Sequence, residues 1–302
     1  MSAIRTLLQG SIDYAGLFPP AELDMHTALE NYARYVTGPV SWALGRFILP
    51  VSQLDELEAH LARMPLSPID SPLRLAALIG TNVEPDVHAI NAFNRRHING
   101  AVTIDSVEVK ATSEATVGEI LATVPSTLQT YIEVPIDRDP STLIRRIGQG
   151  GRRAKVRTGG VTEEAFPRAA DLLRFLQATL HNGVPFKATA GLHHPLRATY
   201  RLTYAANSPV GPMFGFLNLM LAVAFLRRGM DELETLRVLE EDDSSAFQAY
   251  DSGITWRGRR VALDALSDAR ERGMVSFGSC SFTEPIEDLQ SLHLLAAPVS
   301  QT

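Results

Sequence analysis

Lysine is rare in a chain that otherwise makes its cations from arginine: of 28 lysines and arginines, only Lys110, Lys155 and Lys187 are lysine. A guanidinium cannot give up its proton in a protein, whereas a buried ammonium can and then attacks a carbonyl. Lys155 lies in Ala-Lys-Val-Arg-Thr-Gly-Gly (154–160) and Lys187 in Phe-Lys-Ala-Thr-Ala-Gly-Leu-His-His (186–194). Both are strand-like runs closed by glycine, and the lysines are 32 residues apart. Two cations brought together each disfavour the other's charge, and burial adds to the effect. At least one amine is then expected to be neutral near pH 7 and able to form a Schiff base. Asp105, among Val102, Ile104 and Val107, is a carboxylate in an apolar strand that must be paired or used. Beside a cationic lysine it would move protons during carbinolamine formation. The bland alternatives are lysines that reach along the strands to solvent, and an Asp105 that closes a buried salt bridge. Lys110, past Glu108, reads as an ion-pair or rim residue.

The elements that carry these side chains alternate between short β-rich runs and amphipathic helical stretches. Strands are expected at Ser11–Gly16, Arg46–Pro50, Leu73–Gly80, Gly100–Ala111, Gln129–Pro135, Arg153–Thr158, Pro185–Gly191 and Met274–Ser279, the first seven about one βα unit apart. Helical stripes lie between them, such as Leu54, Leu57 and Leu61, or Leu172, Leu173, Leu176 and Leu180. This predicts an α/β fold, a (β/α)8 TIM barrel forming a single domain over 1–302, with an open doubly wound sheet as the weaker alternative. The long interval Ala198–Ala262 reads as a helical insertion between strands seven and eight. It contains Pro212–Leu226, in which Asn218 is the only polar side chain. That run is too short to span a bilayer and is expected to be a buried helix or a homo-oligomer contact through 212–226. Asn218 is expected to be a satisfied structural amide, and Glu240–Asp243 a solvated helix end.

Strand eight gives Phe-Gly-Ser-Cys-Ser-Phe (277–282), then Thr-Glu-Pro-Ile-Glu-Asp-Leu (283–289). A Gly-Ser turn opening a helix offers free N–H groups and hydroxyls at a positive dipole end. In barrels the loops after strands seven and eight are the usual phosphate cradle, which makes Gly278, Ser279 and Ser281 candidate substrate contacts.

Together these segments resemble the deoxyribose-phosphate aldolase family of class I aldolases, motif by motif through most of the barrel. Ile12-Asp13-Tyr14 resembles its first-strand Asp motif, Gly100–Asp105 its fourth-strand motif, and Tyr131-Ile132-Glu133 its fifth strand. Lys155-Val156-Arg157-Thr158-Gly159 is similar to the segment that carries the Schiff-base lysine. Phe186-Lys187-Ala188-Thr189-Ala190-Gly191 is similar to the seventh strand, and Phe277–Ser281 to the closing phosphate turn. The resemblance implies a TIM barrel with Lys155 as nucleophile, Lys187 as its assisting cation and Asp105 as proton shuttle. It further implies Thr158, Gly159, Gly191, Asp13 and Glu133 around the substrate. The sequence departs from the family at Val156 and Arg157, at Leu192 before His193 and His194, at Cys280, and in the whole 198–262 insertion. The catalytic layer is thus family-like and the substrate layer is not, so the family's substrate is not carried over.

The 302 residues are 45% apolar and 21% charged, which is ordinary globular composition. A net charge of −6 argues against nucleic-acid partners and polybasic membrane binding. A single cysteine excludes an internal disulfide and suits a cytoplasmic protein, and no secretory signal is evident at the N-terminus. The leading functional expectation is a metal-independent, cofactor-free carbon–carbon lyase acting on a small carbonyl compound with a phosphate or carboxylate. Arg157, His193 and His194 would contact that anion. The competing readings are a phosphosugar isomerase or transferase barrel, in which the lysines only bind anions, and a non-catalytic anion-binding barrel. A metal-dependent hydrolase built on His193, His194, Glu133 and Asp105 is the third; adjacent histidines point to opposite sides of an extended segment, so both ligating one ion needs a bent loop.

Overall fold

The computed structural model describes residues 2–63, 72–98 and 101–296. Its first half runs α1 (Ala3–Leu8), β1 (Ile12–Tyr14), α2 (Met25–Thr37), β2 (Leu44–Pro50), α3 (Leu54–Leu61), β3 (Leu73–Leu78), α4 (Val83–Arg96), β4 (Val102–Lys110), α5 (Glu114–Thr123) and β5 (Gln129–Glu133). It continues through α6 (Ser141–Gln149), β6 (Arg153–Arg157), α7 (Ala169–His181) and β7 (Phe186–Thr189). A hairpin of β8 (Ala198–Arg201) and β9 (Val210–Met213) follows, then α8 (Phe216–Arg227) and α9 (Glu232–Glu240). The meander β10 (Phe247–Tyr250), β11 (Gly253–Trp256), β12 (Arg259–Ala262) leads to α10 (Leu263–Arg272), β13 (Met274–Ser279) and α11 (Thr283–Ser291). Strands β1 to β7 and β13 close into one parallel barrel, with β13 hydrogen-bonded between β7 and β1. The expected barrel is therefore present, and each of its eight strands falls inside an expected run or within two residues of it. Gly100, the first residue of the expected fourth strand, lies outside the described residues.

Alternation along the strands builds two unlike surfaces. Outward residues such as Phe47, Leu75, Ile132, Ala154, Val156 and Ala188 are buried under the helices. The inward positions of a TIM barrel are normally filled by branched apolar side chains. Here Asp13, Glu108, Lys155 and Lys187 are all buried. Charges in such a place persist only when each is paired.

The apolar run of the insertion is helix α8, with ten of its twelve residues buried. It packs against α7, α9, α10 and β13. The 212–226 stretch is thus the buried helix that was one of its two expected readings, and nothing in it supports the other, a subunit contact. Asn218 is the structural amide it was expected to be. Its Oδ1 accepts the Arg197 N–H at 2.9 Å, and its Nδ2 donates to the carbonyls of Val238 and Glu241 at 2.8 Å each. The acidic stretch after α9 departs from expectation at Glu241. That carboxylate is buried, accepting from Trp256 Nε1 at 2.9 Å and from the Arg257 guanidinium. It holds the meander on the helices, and only its neighbours Glu240, Asp242 and Asp243 face solvent.

Candidate active site

Lys155 is the middle residue of β6 and points inward between the outward-facing Ala154 and Val156. Lys187 lies beside it on β7, in direct register. Glu108 joins them. Its Oε2 lies 2.7 Å from Lys155 Nζ, and its Oε1 accepts a hydrogen bond from Lys187 Nζ. Lys187 also donates to Asp13 Oδ2 at 2.6 Å, while Asp13 Oδ1 accepts the Arg46 backbone N–H at 2.6 Å. On the mouth side Glu133, in register with Lys155, brings Oε2 to 3.0 Å from its ammonium. Beyond this ion pair the buried oxygen has no partner. Glu133 Oε1 is 3.6 Å from Arg157 Nε and 3.7 Å from Lys110 Nζ, which puts Lys110 at the rim as expected. Signs therefore alternate from floor to mouth: Asp13, Lys187, Glu108, Lys155, Glu133, Arg157.

This ladder sets the protonation states. Burial alone would hold Glu108 neutral, but the two ammonium groups outweigh it and pull its carboxyl down to about 2. For Lys187 burial favours the neutral amine, and the adjacent Asp13 and Glu108 more than reverse that, so its pKa rises above the ordinary lysine value. Between these two carboxylates Lys187 is held as a cation. The carboxylate of Glu108 between the two lysines also replaces the direct mutual repulsion expected from sequence. Burial raises and Lys155 lowers the Glu133 pKa, with Arg157 and Lys110 assisting, and the net shift is downward.

Asp105 is not part of this layer. It is the extra residue where the β3–β4 register shifts between Leu75 and Ala76. Its carboxylate is held by Arg46 Nε at 2.5 Å and Arg74 Nη2 at 2.6 Å, near the N-terminal ends of β2 and β3. Those guanidinium groups overcome its burial and keep it ionised below the ordinary carboxylate range. The expectation of a proton shuttle at Asp105 is corrected to a buried-rim salt bridge, and the carboxylate beside the lysines is Glu108, three residues later.

Lys155 and Glu108 form the floor of a cavity of about 200 Å³ at the C-terminal mouth. Ala15, Phe18, Pro19 and Pro20 of the β1 loop, Ile48, Leu78 and Val161 line one part of it; Arg157, Thr189 and His193 supply polar groups. Lys187 is shut beneath, 1% exposed. Arg157 is half-exposed and borders a second, neighbouring groove with Lys110 and Glu133.

The other expected contacts play supporting parts. Thr158 Oγ1 donates to the Ala190 carbonyl at 2.7 Å and pins β6 to the turn after β7. Gly191 has φ +70°, and a Cβ there would lie 2.8 Å from Phe166 Cε1; at Gly159 it would lie 2.4 Å from the same atom. Both glycines make room for Phe166 under the mouth. His193 borders the cavity, but burial, with His194 nearby, lowers its pKa to about 4, so it is neutral at pH 7. His194 turns away, 2.5 Å from Asp288 and stacked on Tyr200.

The turn after β13 is already filled. Ser279 Oγ lies 3.3 Å from His193 Nδ1, and Ser281 Oγ accepts the Glu284 N–H at 3.1 Å. Gly278 borders the cavity, but the carboxyl of Glu284 stands at the helix start where a substrate anion was expected. Burial, with Asp288 adding and His194 opposing, raises that carboxyl above its usual range. The four groups of the metal-hydrolase reading, Asp105, Glu133, His193 and His194, are pulled to separate partners. Among the described residues no three His, Cys, Asp or Glu side chains are placed to hold a metal ion. No helix among them is long and apolar enough to cross a membrane. Set against family models, curated proteins and solved structures, the chain matches none of them.

Proposed function

We propose that the protein is a carbon–carbon lyase of the Schiff-base type, with Lys155 as nucleophile. The observation that carries this is the position of the Lys155 amine. It alone of the two buried lysines faces the cavity, and Glu108 and Glu133 flank it at 2.7 and 3.0 Å. Transfer of one proton to the unsatisfied Oε2 of Glu133 frees the amine. Its nitrogen then adds to the substrate carbonyl carbon, and a proton shifts from nitrogen to oxygen to give the carbinolamine. Protonated Glu133 returns its proton to the departing hydroxyl, water leaves, and the iminium carries the positive charge the ammonium had. The carboxylates therefore stabilise the iminium as they did the ammonium. Glu133 next takes the proton of a β-hydroxyl, the adjacent C–C bond breaks, an aldehyde leaves, and the electron pair moves into the enamine. Reprotonation at carbon and hydrolysis restore Lys155. Glu108 and Lys187 hold the ladder in register and do not exchange protons at neutral pH.

The test is borohydride trapping with a panel of short carbonyl acids and carbonyl phosphates, followed by peptide mapping. The expected adduct is on Lys155, absent in Lys155→Arg, because a guanidinium cannot attack a carbonyl. Lys187→Arg, with its fold checked by circular dichroism, should weaken labelling without moving it. Label on Lys187 alone would reverse the assignment; no adduct with any compound would refute Schiff-base chemistry.

A further inference from the structure

The cavity above Lys155 distinguishes between kinds of carbonyl substrate by its walls. A sugar phosphate presents hydroxyls along its whole length and a dianion at its end. Each hydroxyl needs a partner, since a buried polar group left unpaired costs about 1–3 kcal/mol. Across the barrel from Arg157 the wall is Phe18, Ile48 and Leu78, side chains with no hydrogen-bonding atom, and Val161 adds to it from the loop after β6. At the β13 turn, the Ser281 hydroxyl is bound to the Glu284 N–H and the Glu284 carboxyl stands at the start of α11. A phosphate placed there would meet the Glu284 side chain of the first turn of α11, which lies 3.7 Å from His193 Nδ1. The cation at the mouth is Arg157, half-exposed and two residues beyond Lys155 on the same inward face, about 6.6 Å higher at the usual strand rise. A planar guanidinium matches a carboxylate in a two-bond fork.

Resting on the Lys155 reading for its chemistry, we infer that the substrate is a β-hydroxy oxo acid with an otherwise apolar body: its carboxylate on Arg157, its carbonyl at Lys155, its one hydroxyl toward Glu133, and its hydrocarbon body against Phe18, Ile48 and Leu78. The same apolar wall disfavours sugar phosphates, whose run of hydroxyls meets polar groups only on the side of Thr189 and His193. The apolar side chains contribute affinity by leaving water, and the lack of partners along Phe18, Ile48 and Leu78 for further hydroxyls provides rejection, which is the stronger form of discrimination.

The test uses ligands without a carbonyl, so that it does not depend on Schiff-base formation. Binding of 4-methylpentanoate, isopentyl phosphate, glycerate and glycerol 3-phosphate to the full chain is measured by calorimetry. The expected result is 4-methylpentanoate at least tenfold tighter than each of the others. Arg157→Gln should weaken it by tenfold or more, Leu78→Asn should weaken it too, and Arg157→Lys should recover part of the loss. The inference is overturned if either phosphate or glycerate binds as tightly as 4-methylpentanoate, if Arg157→Gln leaves its binding unchanged, or if it does not bind. Trapping of 4-methyl-2-oxopentanoate by borohydride is then a separate matter. Tight binding of 4-methylpentanoate with no adduct from the oxo acid would sink the Schiff-base reading and leave the ligand class standing.

Discussion

Replacing Glu108 by Gln isolates the carboxylate that holds the two lysines together. The side chain keeps its size, but two buried ammonium groups lose the anion between them. Breaking a buried ion pair on one side costs about 3–5 kcal/mol, so the variant is expected to be less stable than wild type by roughly that much at pH 7. The pH dependence is more diagnostic. With its folded pKa at about 2 against 4.5 when exposed, ionised Glu108 contributes about 3 kcal/mol, present in full above pH 4.5 and lost as pH falls toward 2. At pH 3.5 about 1 kcal/mol of it should already be gone, by the same linkage relation. Urea unfolding of both proteins, followed by tryptophan fluorescence at intervals from pH 7 to pH 3.5, gives the difference in stability directly. Carboxylates outside the ladder titrate alike in both proteins and cancel. The gap between wild type and Glu108→Gln should narrow by about 1 kcal/mol over that range. A gap that stays constant, or widens, would refute the ladder as drawn.

His193 gives the complementary case. Its pKa falls from 6.5 to about 4 in the folded chain, so the fold favours the neutral ring and loses stability as pH drops below 6.5. His193→Asn should therefore lose about 2 kcal/mol less than wild type between pH 7 and pH 5; urea midpoints that shift equally in both proteins would contradict this. Gly45→Ala places a Cβ 2.2 Å from Asp13 Oδ1, which must move off the Arg46 N–H and loosen Lys187. A loss of about 1–3 kcal/mol with a fall in Lys155 labelling is expected, and unchanged unfolding and labelling would show that Asp13 does not hold the floor.

Much of the frame was legible because barrel strands announce themselves by glycine ends and regular βα spacing, and the lysine pairing followed from that spacing alone. The choice of carboxylate did not. Asp105 and Glu108 are three residues apart, so on a regular strand they face opposite sides. Only the register shift after Leu75, which leaves no mark in composition, decides that Glu108 shares the lysine layer while Asp105 falls between Arg46 and Arg74. The closing turn carried a readable signal that was passed over. Ser281-Phe-Thr-Glu284 has the Ser-x-x-Glu spacing of a helix start, in which the hydroxyl is consumed by the chain itself. Glu241 had no such signal: its burial depends on Trp256 and Arg257 arriving from the meander.

Helix α8 has a consequence for the order in which this chain can assemble. A helix apolar on every side has no solvated face of its own and is stable only when walls stand around it. Those walls are α7, α9, α10 and β13, so α8 is not an appendage on a finished barrel but a piece of its masonry. The strands it helps to join, β7 and β13, are separated by the whole segment from 190 to 273, and closing that gap costs chain entropy before any contact repays it. Barrel closure and the folding of the insertion are in this way a single late event. A chain trimmed of residues 198–262 would not give a smaller barrel but an open sheet with two unpaired edges, β7 and β13, each a template for another chain.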